Sequence, residues 1–236
     1  PGTFLLAWTT TPWTLPGNMA LAIGKNISYV KVAHEGSTYI LAKDRLADVF
    51  AEKEHGTPSA VTAASLLGAL YKPLFPYYDT TPPAPPFGKG GDTGGSRENA
   101  FKVYTGDFVN TEEGTGIVHI APAFGEDDYE LSKKEKLPFV QHVNMDGTFK
   151  KEVADFAGMF VKHQDKPNSP DHPESKDAES TDVKIIKYLA AKNLLFSKQK
   201  YAHSYPHCWR CDSPLLNYSA SSWFVAVEKI KSKLLK

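Results

Sequence analysis

The sequence predicts an α+β fold, with a closed or nearly closed β-barrel at its centre and peripheral helices. Three observations carry this. Short apolar runs recur along the 236 residues, each bounded by turn-forming residues. Only two stretches, 45–55 and 181–195, hold apolar residues at helical spacing over a substantial length. The composition, 41% hydrophobic and 23% charged, is that of a globular domain with one sizeable core. Many short strands with few helices bury their apolar faces well in a barrel.

The elements follow in order. Phe4 to Trp8 is an apolar run that reads as a buried strand. It ends in Thr9, Thr10 and Thr11, and Pro12 holds Thr11 extended. Pro16 and Gly17 mark a second bend before Asn18. Ala20–Ile23, Tyr29–Val32 and Ser37–Ala42 read as strands, the last two joined in a hairpin at Glu35-Gly36. Arg45 to His55 reads as a helix capped by Asp44 and ended by Gly56 and Pro58. Ala64 to Tyr71 is a further strand candidate. Residues 77–99, rich in Pro and Gly, read as a flexible insertion. A phosphate-binding loop fits poorly there, since no strand leads in and no helix follows.

Phe101 to Val109 and Ile117 to Ala121 are predicted strands. A short helix from Asp127 or Asp128 to about Lys136 follows, then a hairpin over Gln141 to Phe149 turning at Asp146-Gly147. Residues 162–180 read as loop, and a helix capped by Ser180 or Thr181 runs to Leu195. There is no internal repeat.

Several function classes are set aside by composition. No apolar run approaches the roughly 20 residues of a membrane span. Lys plus Arg equals Asp plus Glu at 27 each, which argues against coating of long nucleic acid but allows a pocket for one single-stranded end. Two cysteines, Cys208 and Cys211, imply no disulfide framework and a reducing compartment. The chain has no initiator methionine or signal peptide and starts in mid-pattern, so it reads as a piece of a longer protein.

The stretch Trp8-Thr9-Thr10-Thr11-Pro12-Trp13-Thr14-Leu15-Pro16-Gly17-Asn18 gathers hydroxyls where a strand breaks. Alone it is a stiffened turn. It resembles the threonine-rich segment in the editing domain of isoleucyl-tRNA synthetases. In the related valyl and leucyl enzymes an arginine usually replaces Thr11 and an acidic residue replaces Trp13. A second stretch, Gly114 through His119 and Ala121 to Asp128, resembles the second signature of the same domain. A histidine in an apolar strand is by itself more often a core residue, and an aspartate opening a helix is favoured by the macrodipole. The resemblance implies more: His119 lines the amino-acid pocket, and Asp128, nine residues on, binds the substrate ammonium group.

That resemblance implies a hydrolytic editing domain of the eukaryotic cytosolic branch, with the barrel-centred editing fold. It implies Trp8, Thr9, Thr10, Thr11, Asn18, His119 and Asp128 as the pocket, and hydrolysis of valyl-tRNA(Ile) by water positioned near the ester. Residues 1–200 would form the domain and 201–236 the exit to the catalytic body. The expected partners are the 3′-terminal aminoacyl-adenosine of tRNA(Ile) and that body, in a cytoplasmic monomer. The signatures for ATP handling are absent, so amino-acid activation is not expected. No Gly-x-Ser-x-Gly elbow is present. A non-catalytic module binding the tRNA 3′ end is the alternative, and removal of threonine, as in valyl-type domains, is a third possibility that Trp13 weighs against. Cys208-Trp209-Arg210-Cys211, with His203 and His207 near, has zinc-like spacing but only one cysteine pair; no cofactor or metal is expected in this chain.

Overall fold

The computed structural model of the chain describes residues 2–78, 95–162 and 179–235, apart from 203, 211, 221, 223 and 224. Along the chain the strands are β1 (Thr3–Leu5), β2 (Ala20–Ile23), β3 (Tyr29–His34), β4 (Ser37–Ala42), β5 (Ser59–Val61), β6 (Lys102–Thr105) and β7 (Ile117–Ile120). They form two sheets, one ordered β1-β4-β3-β5 and one ordered β6-β2-β7. The β3–β4 hairpin turns where expected. Glu35 and Gly36 both take positive φ, +46° and +75°, which matches the twist of paired strands.

The expected closed barrel is corrected by this arrangement. Among the described residues the sheets do not close into one ladder. The seam between them is reduced to single contacts. Trp8 bridges Val118, and the amide of Ala42 donates to the carbonyl of Thr115 at 2.9 Å. Closure needs continuous pairing with a consistent stagger, and strands of three to six residues are too short to supply it here. The α+β content stands.

The helices are α1 (Leu46–Phe50), α2 (Ala63–Leu66), α3 (Glu126–Glu135), α4 (Thr181–Ala191) and α5 (Val227–Leu234). The strand expected at 64–71 is instead α2 and a turn. The Thr62 hydroxyl accepts from the Ser65 amide and caps the helix, and Gly68 at φ +72° ends it. Only Leu70 pairs, in one bridge to Lys102. The helix expected over 45–55 shrinks to the five residues of α1. Most of the expected insertion at 77–99, and most of the loop at 162–180, lie outside the described residues. No helix among the described residues is long and apolar enough to cross a membrane.

The threonine-rich turn is set by what surrounds it. Leaving β1, the chain crosses from the first sheet to the second, then winds into a 3-10 helix over Pro12–Gly17. Pro12 suits its first position because that amide has no partner in a helix anyway. Trp13, only 2% exposed, anchors the helix in a core with Phe124, Phe139, Phe149 and Phe156. The first turn of α4 meets it there: Asp182 accepts from the Trp13 amide at 3.3 Å and is held by Lys162 Nζ at 2.6 Å.

Candidate active site

Strand β7 organises the site. Four consecutive residues, Val118 to Ala121, each hold one part of it. Val118 bridges Trp8 in parallel. The His119 ring meets the Thr14 hydroxyl at 3.0 Å. The Ile120 carbonyl accepts from the Met19 amide at 2.8 Å and, at 3.5 Å, from the side chain of Asn18. The Ala121 amide donates to Asp128 Oδ1 at 2.6 Å. Two motifs a hundred residues apart in the chain thus meet along one strand.

From the turn, hydroxyls run in sequence to His119. Thr9 Oγ1 accepts from the Thr11 amide at 3.0 Å and lies 3.4 Å from Thr11 Oγ1. Thr11 Oγ1 lies 3.4 Å from Thr14 Oγ1, and Thr14 Oγ1 donates to the Thr11 carbonyl at 2.9 Å. A threonine hydroxyl has one proton. With that proton on the Thr11 carbonyl, His119 Nε2 must be the donor to Thr14. Its Nδ1 is then a buried lone pair, and it has no partner among the described residues. Burial pushes the His119 ring down to about 4, so it is neutral at pH 7. Neutral and oriented, it donates to Thr14 without adding charge. Thr10 makes no hydrogen bond among the described residues and is half-buried, which leaves its hydroxyl open to a ligand.

Asp128 sits in the first turn of α3, folded back on the end of β7. Burial pushes its carboxyl up to about 6, against the opposing pull of the Ala121 amide. One oxygen is engaged by that amide. The other lies against Gly125, where an added Cβ would be 2.2 Å away. A carboxylate so placed gains from a cationic partner, because pairing would offset its desolvation.

The sequence-derived set divides. Thr9, Thr11 and His119 join through Thr14, and Asp128 joins through β7. Trp8 lies across Gly114, which takes φ +69° and would bring a Cβ within 3.0 Å of the indole. Tyr201 packs edge-on against it at 5.3 Å and bonds Glu113. Asn18 is different. It is buried, and its amide bonds the Ala20 carbonyl at 2.8 Å while its oxygen accepts from Tyr71 at 2.5 Å. With the longer bond to the Ile120 carbonyl, those bonds fasten the end of the 3-10 helix to β2, β7 and Tyr71 rather than extend the hydroxyl series. Two surface cavities, about 440 and 270 Å3, are lined by His34, Glu52 and neighbours and by Met145, Phe160, Leu215 and neighbours, away from this set.

Three residues with a part here were absent from the sequence-derived set. Thr14 follows Thr11 by three, and that spacing was a readable signal. His142 and Asp182 carried none, since they reach the 3-10 helix across 129 and 169 residues. At the cysteine motif, Cys208 lies in a small hairpin closed by bonds from its own amide to Ser213 and from Leu215 to Pro206. Cys211 and His203 fall outside the described residues. Among the described residues no three metal-binding side chains converge.

No protein-family model matches the chain. Curated relatives do. It is 44% identical to an isoleucine–tRNA ligase of Treponema denticola over 99% of its own length and 20% of the ligase. It is 41% identical to one from Bacillus thuringiensis, again over 99% of itself and 19% of the ligase. These relatives are bacterial, so the expected eukaryotic branch finds no support in them. Among solved structures, that of GlLeuRS-CP1, at 14% identity, superposes with a TM-score of 0.55 over 84% of this chain and 85% of that one. The likeness is one of fold. From end to end, then, the chain is homologous to a segment making up about one fifth of isoleucine–tRNA ligases, and it has the fold of a synthetase CP1 segment.

Proposed function

We propose that this chain is the hydrolytic editing domain of an isoleucyl-tRNA synthetase and removes valine wrongly esterified to tRNA(Ile). The discrimination of isoleucine from valine is the standing example of the underlying limit: one methylene is worth only ~1–3 kcal/mol in a binding pocket. A second site that admits valine and excludes isoleucine makes up the difference. The observation that carries the reading is the convergence of Trp8, Thr14, Asn18 and Asp128 on Val118 to Ala121.

In this reading the terminal adenosine lies over the threonine-rich turn. Asp128 pairs with the substrate ammonium group. The His119 ring, held by Thr14, limits side-chain size. The free Thr10 hydroxyl and its neighbours hold the ribose and a water molecule near the ester carbonyl. Water attacks, the bond from the acyl carbon to the ribose oxygen breaks, and that oxygen takes a proton as valine departs. Catalysis rests on positioning and electrostatics rather than a covalent nucleophile. The reading invokes no cofactor. The partners are the tRNA(Ile) 3′ end and the catalytic body of the parent synthetase, in the cytoplasm, with the chain itself a monomer.

Deacylation of Val-tRNA(Ile) and Ile-tRNA(Ile) by the chain tests this. Loss of valine alone, abolished in Asp128→Ala with the circular dichroism spectrum retained, is the expected result. A folded Asp128→Ala variant that still deacylates would remove Asp128 from the site. Binding of a non-hydrolysable valyl-adenosine without turnover would favour the RNA-end-binding module instead.

A further inference from the structure

The buried ring of His142 has no part in the reaction just described. It lies immediately before Val143, whose bridge to Phe149 closes a small loop. It is 0% exposed. Its Nε2 lies 2.9 Å from the carbonyl of Trp13, inside the 3-10 helix that follows the threonines. A carbonyl only accepts, so Nε2 carries the proton and Nδ1 is the bare nitrogen. Burial pushes the ring down to about 4, which keeps it neutral. Nδ1 has no hydrogen-bond partner among the described residues and faces the backbone of Gly17, where an added Cβ would be 2.3 Å from it. The ring therefore touches the 3-10 helix at both ends, through the Trp13 carbonyl and through the missing side chain of Gly17.

Its other faces meet the second motif. Phe124, just before the Gly125–Asp128 turn, packs edge-on at 4.6 Å, and Phe149 stacks on the remaining side at 5.7 Å and 17°. Trp13 itself packs edge-on against Phe124 at 5.2 Å. One side chain is thus wedged between the segment that carries the threonine hydroxyls and the segment that carries Asp128. Neither segment is long enough to hold its place alone. The 3-10 helix is six residues, and the stretch from Ala121 to Gly125 has no ladder of its own.

We propose that His142 is a positioning residue that sets the distance between the threonine-rich turn and Asp128, through its Nε2–H bond to Trp13, its close contact with Gly17 and its edge contact with Phe124. This rests on the editing reading for its consequence but not for its geometry. The bond to Trp13 supplies direction as well as volume. A phenyl ring, larger than imidazole by one ring atom, fills the space without the donor and leaves the Trp13 carbonyl unpaired. A flexible amide keeps the donor.

The test compares His142→Phe with His142→Gln in the 236-residue chain, using backbone amide NMR signals and deacylation kinetics together. In His142→Phe, the signals of Thr11 to Gly17 and of Ala121 to Asp128 are expected to move together. kcat should fall about 10- to 100-fold at unchanged KM, the scale of a misplacement near 1 Å. In His142→Gln both sets of signals should return towards wild type and kcat should recover to within a few-fold. The proposal is overturned if folded His142→Phe keeps wild-type signals in either segment, if only one segment moves, or if Gln is displaced as far as Phe. Should His142→Phe not fold, His142→Gln decides alone: wild-type signals support the role and displaced ones overturn it. The NMR arm needs no substrate. A wild-type chain without turnover would therefore sink the editing reading and still leave the His142 role decided.

Discussion

The threonine-rich turn and the Cys208 hairpin are both short polar motifs that stand out in the sequence, and the fold treats them in opposite ways. The turn is braced from across the chain. His119, His142 and Asp182 reach it over separations of 105, 129 and 169 residues. The hairpin over 206–215 is held by bonds within itself, and Trp209 at its tip is 87% exposed. Local hydrogen bonds set a shape, but only long-range ones set that shape against another part of the molecule. A site that must hold two groups at a fixed separation needs the second kind. The turn has them, whereas the backbone bonds that close the hairpin join residues no more than nine apart.

That contrast can be broken most severely at Asp128. Asp128→Asn keeps an oxygen for the Ala121 amide but removes the charge. Valyl-ester hydrolysis should fall at least about 100-fold, the scale of one lost charge-assisted contact at a reacting centre, as read by single-turnover deacylation. The same variant has a stability signature of the opposite sign. The carboxyl sits at about 6 in the folded chain against an ordinary 3.8. The folded state therefore holds this proton more tightly than the unfolded one, and stability is lost as pH rises from 4 through 6. At pH 7 the buried charge is a burden that Asn lifts. Thermal melts at pH 7 should show the variant more stable by roughly 1–2 kcal/mol, with no difference below pH 4. In the proposed reaction, wild-type kcat/KM should fall as pH drops through about 6, where Asp128 takes up its proton and would lose its pairing with a substrate ammonium group.

Gly17→Ala comes next. The new Cβ would meet His142 Nδ1 at 2.3 Å, and the ring cannot swing away because Phe124 and Phe149 flank it. A loss of about 2–3 kcal/mol is expected from such overpacking, measured by urea denaturation. Thr14→Val is milder. It leaves His119 Nε2 without a partner and breaks the contact between Thr11 and His119, at about 1–2 kcal/mol for an orphaned buried group, again by denaturation, with a matching drop in turnover. Cys208→Ser belongs to the other region. Its bonds are made by backbone, so stability should change by less than about 0.5 kcal/mol and deacylation should be unaltered; a larger loss of either would show that the hairpin is coupled to the turn after all.

How far these features could be read in advance follows from the range of the forces involved. The β3–β4 hairpin was legible because Glu35-Gly36 turns the chain within itself. The strand ending at Ala121 and the helix after Gly125 were legible for similar reasons. The reading failed at 64–71, where an apolar run suggested a strand and the Thr62 cap, with two alanines behind it, decided for a helix. It failed over the barrel because closure depends on how many pairs survive at the seam, and no local pattern counts them. In the site, the threonines and His119 were visible as residue types in a pattern. Their connection through Thr14 was one step beyond the pattern and within reach of it.

By itself, then, the sequence determined the chemistry on offer: hydroxyls gathered at a strand break, one histidine in an apolar strand, one aspartate at a helix start. Those are properties of residues and of their near neighbours, which backbone propensity and spacing govern. Only the tertiary structure decided that β7 gathers them, that burial keeps His119 neutral and lifts Asp128 towards 6, that Asn18 ties the end of the 3-10 helix to β2 and β7, and that His142 and Asp182 grip that helix. Desolvation and long-range hydrogen bonds arise from which surfaces meet, and residues more than a hundred positions apart leave no mark on each other's local sequence.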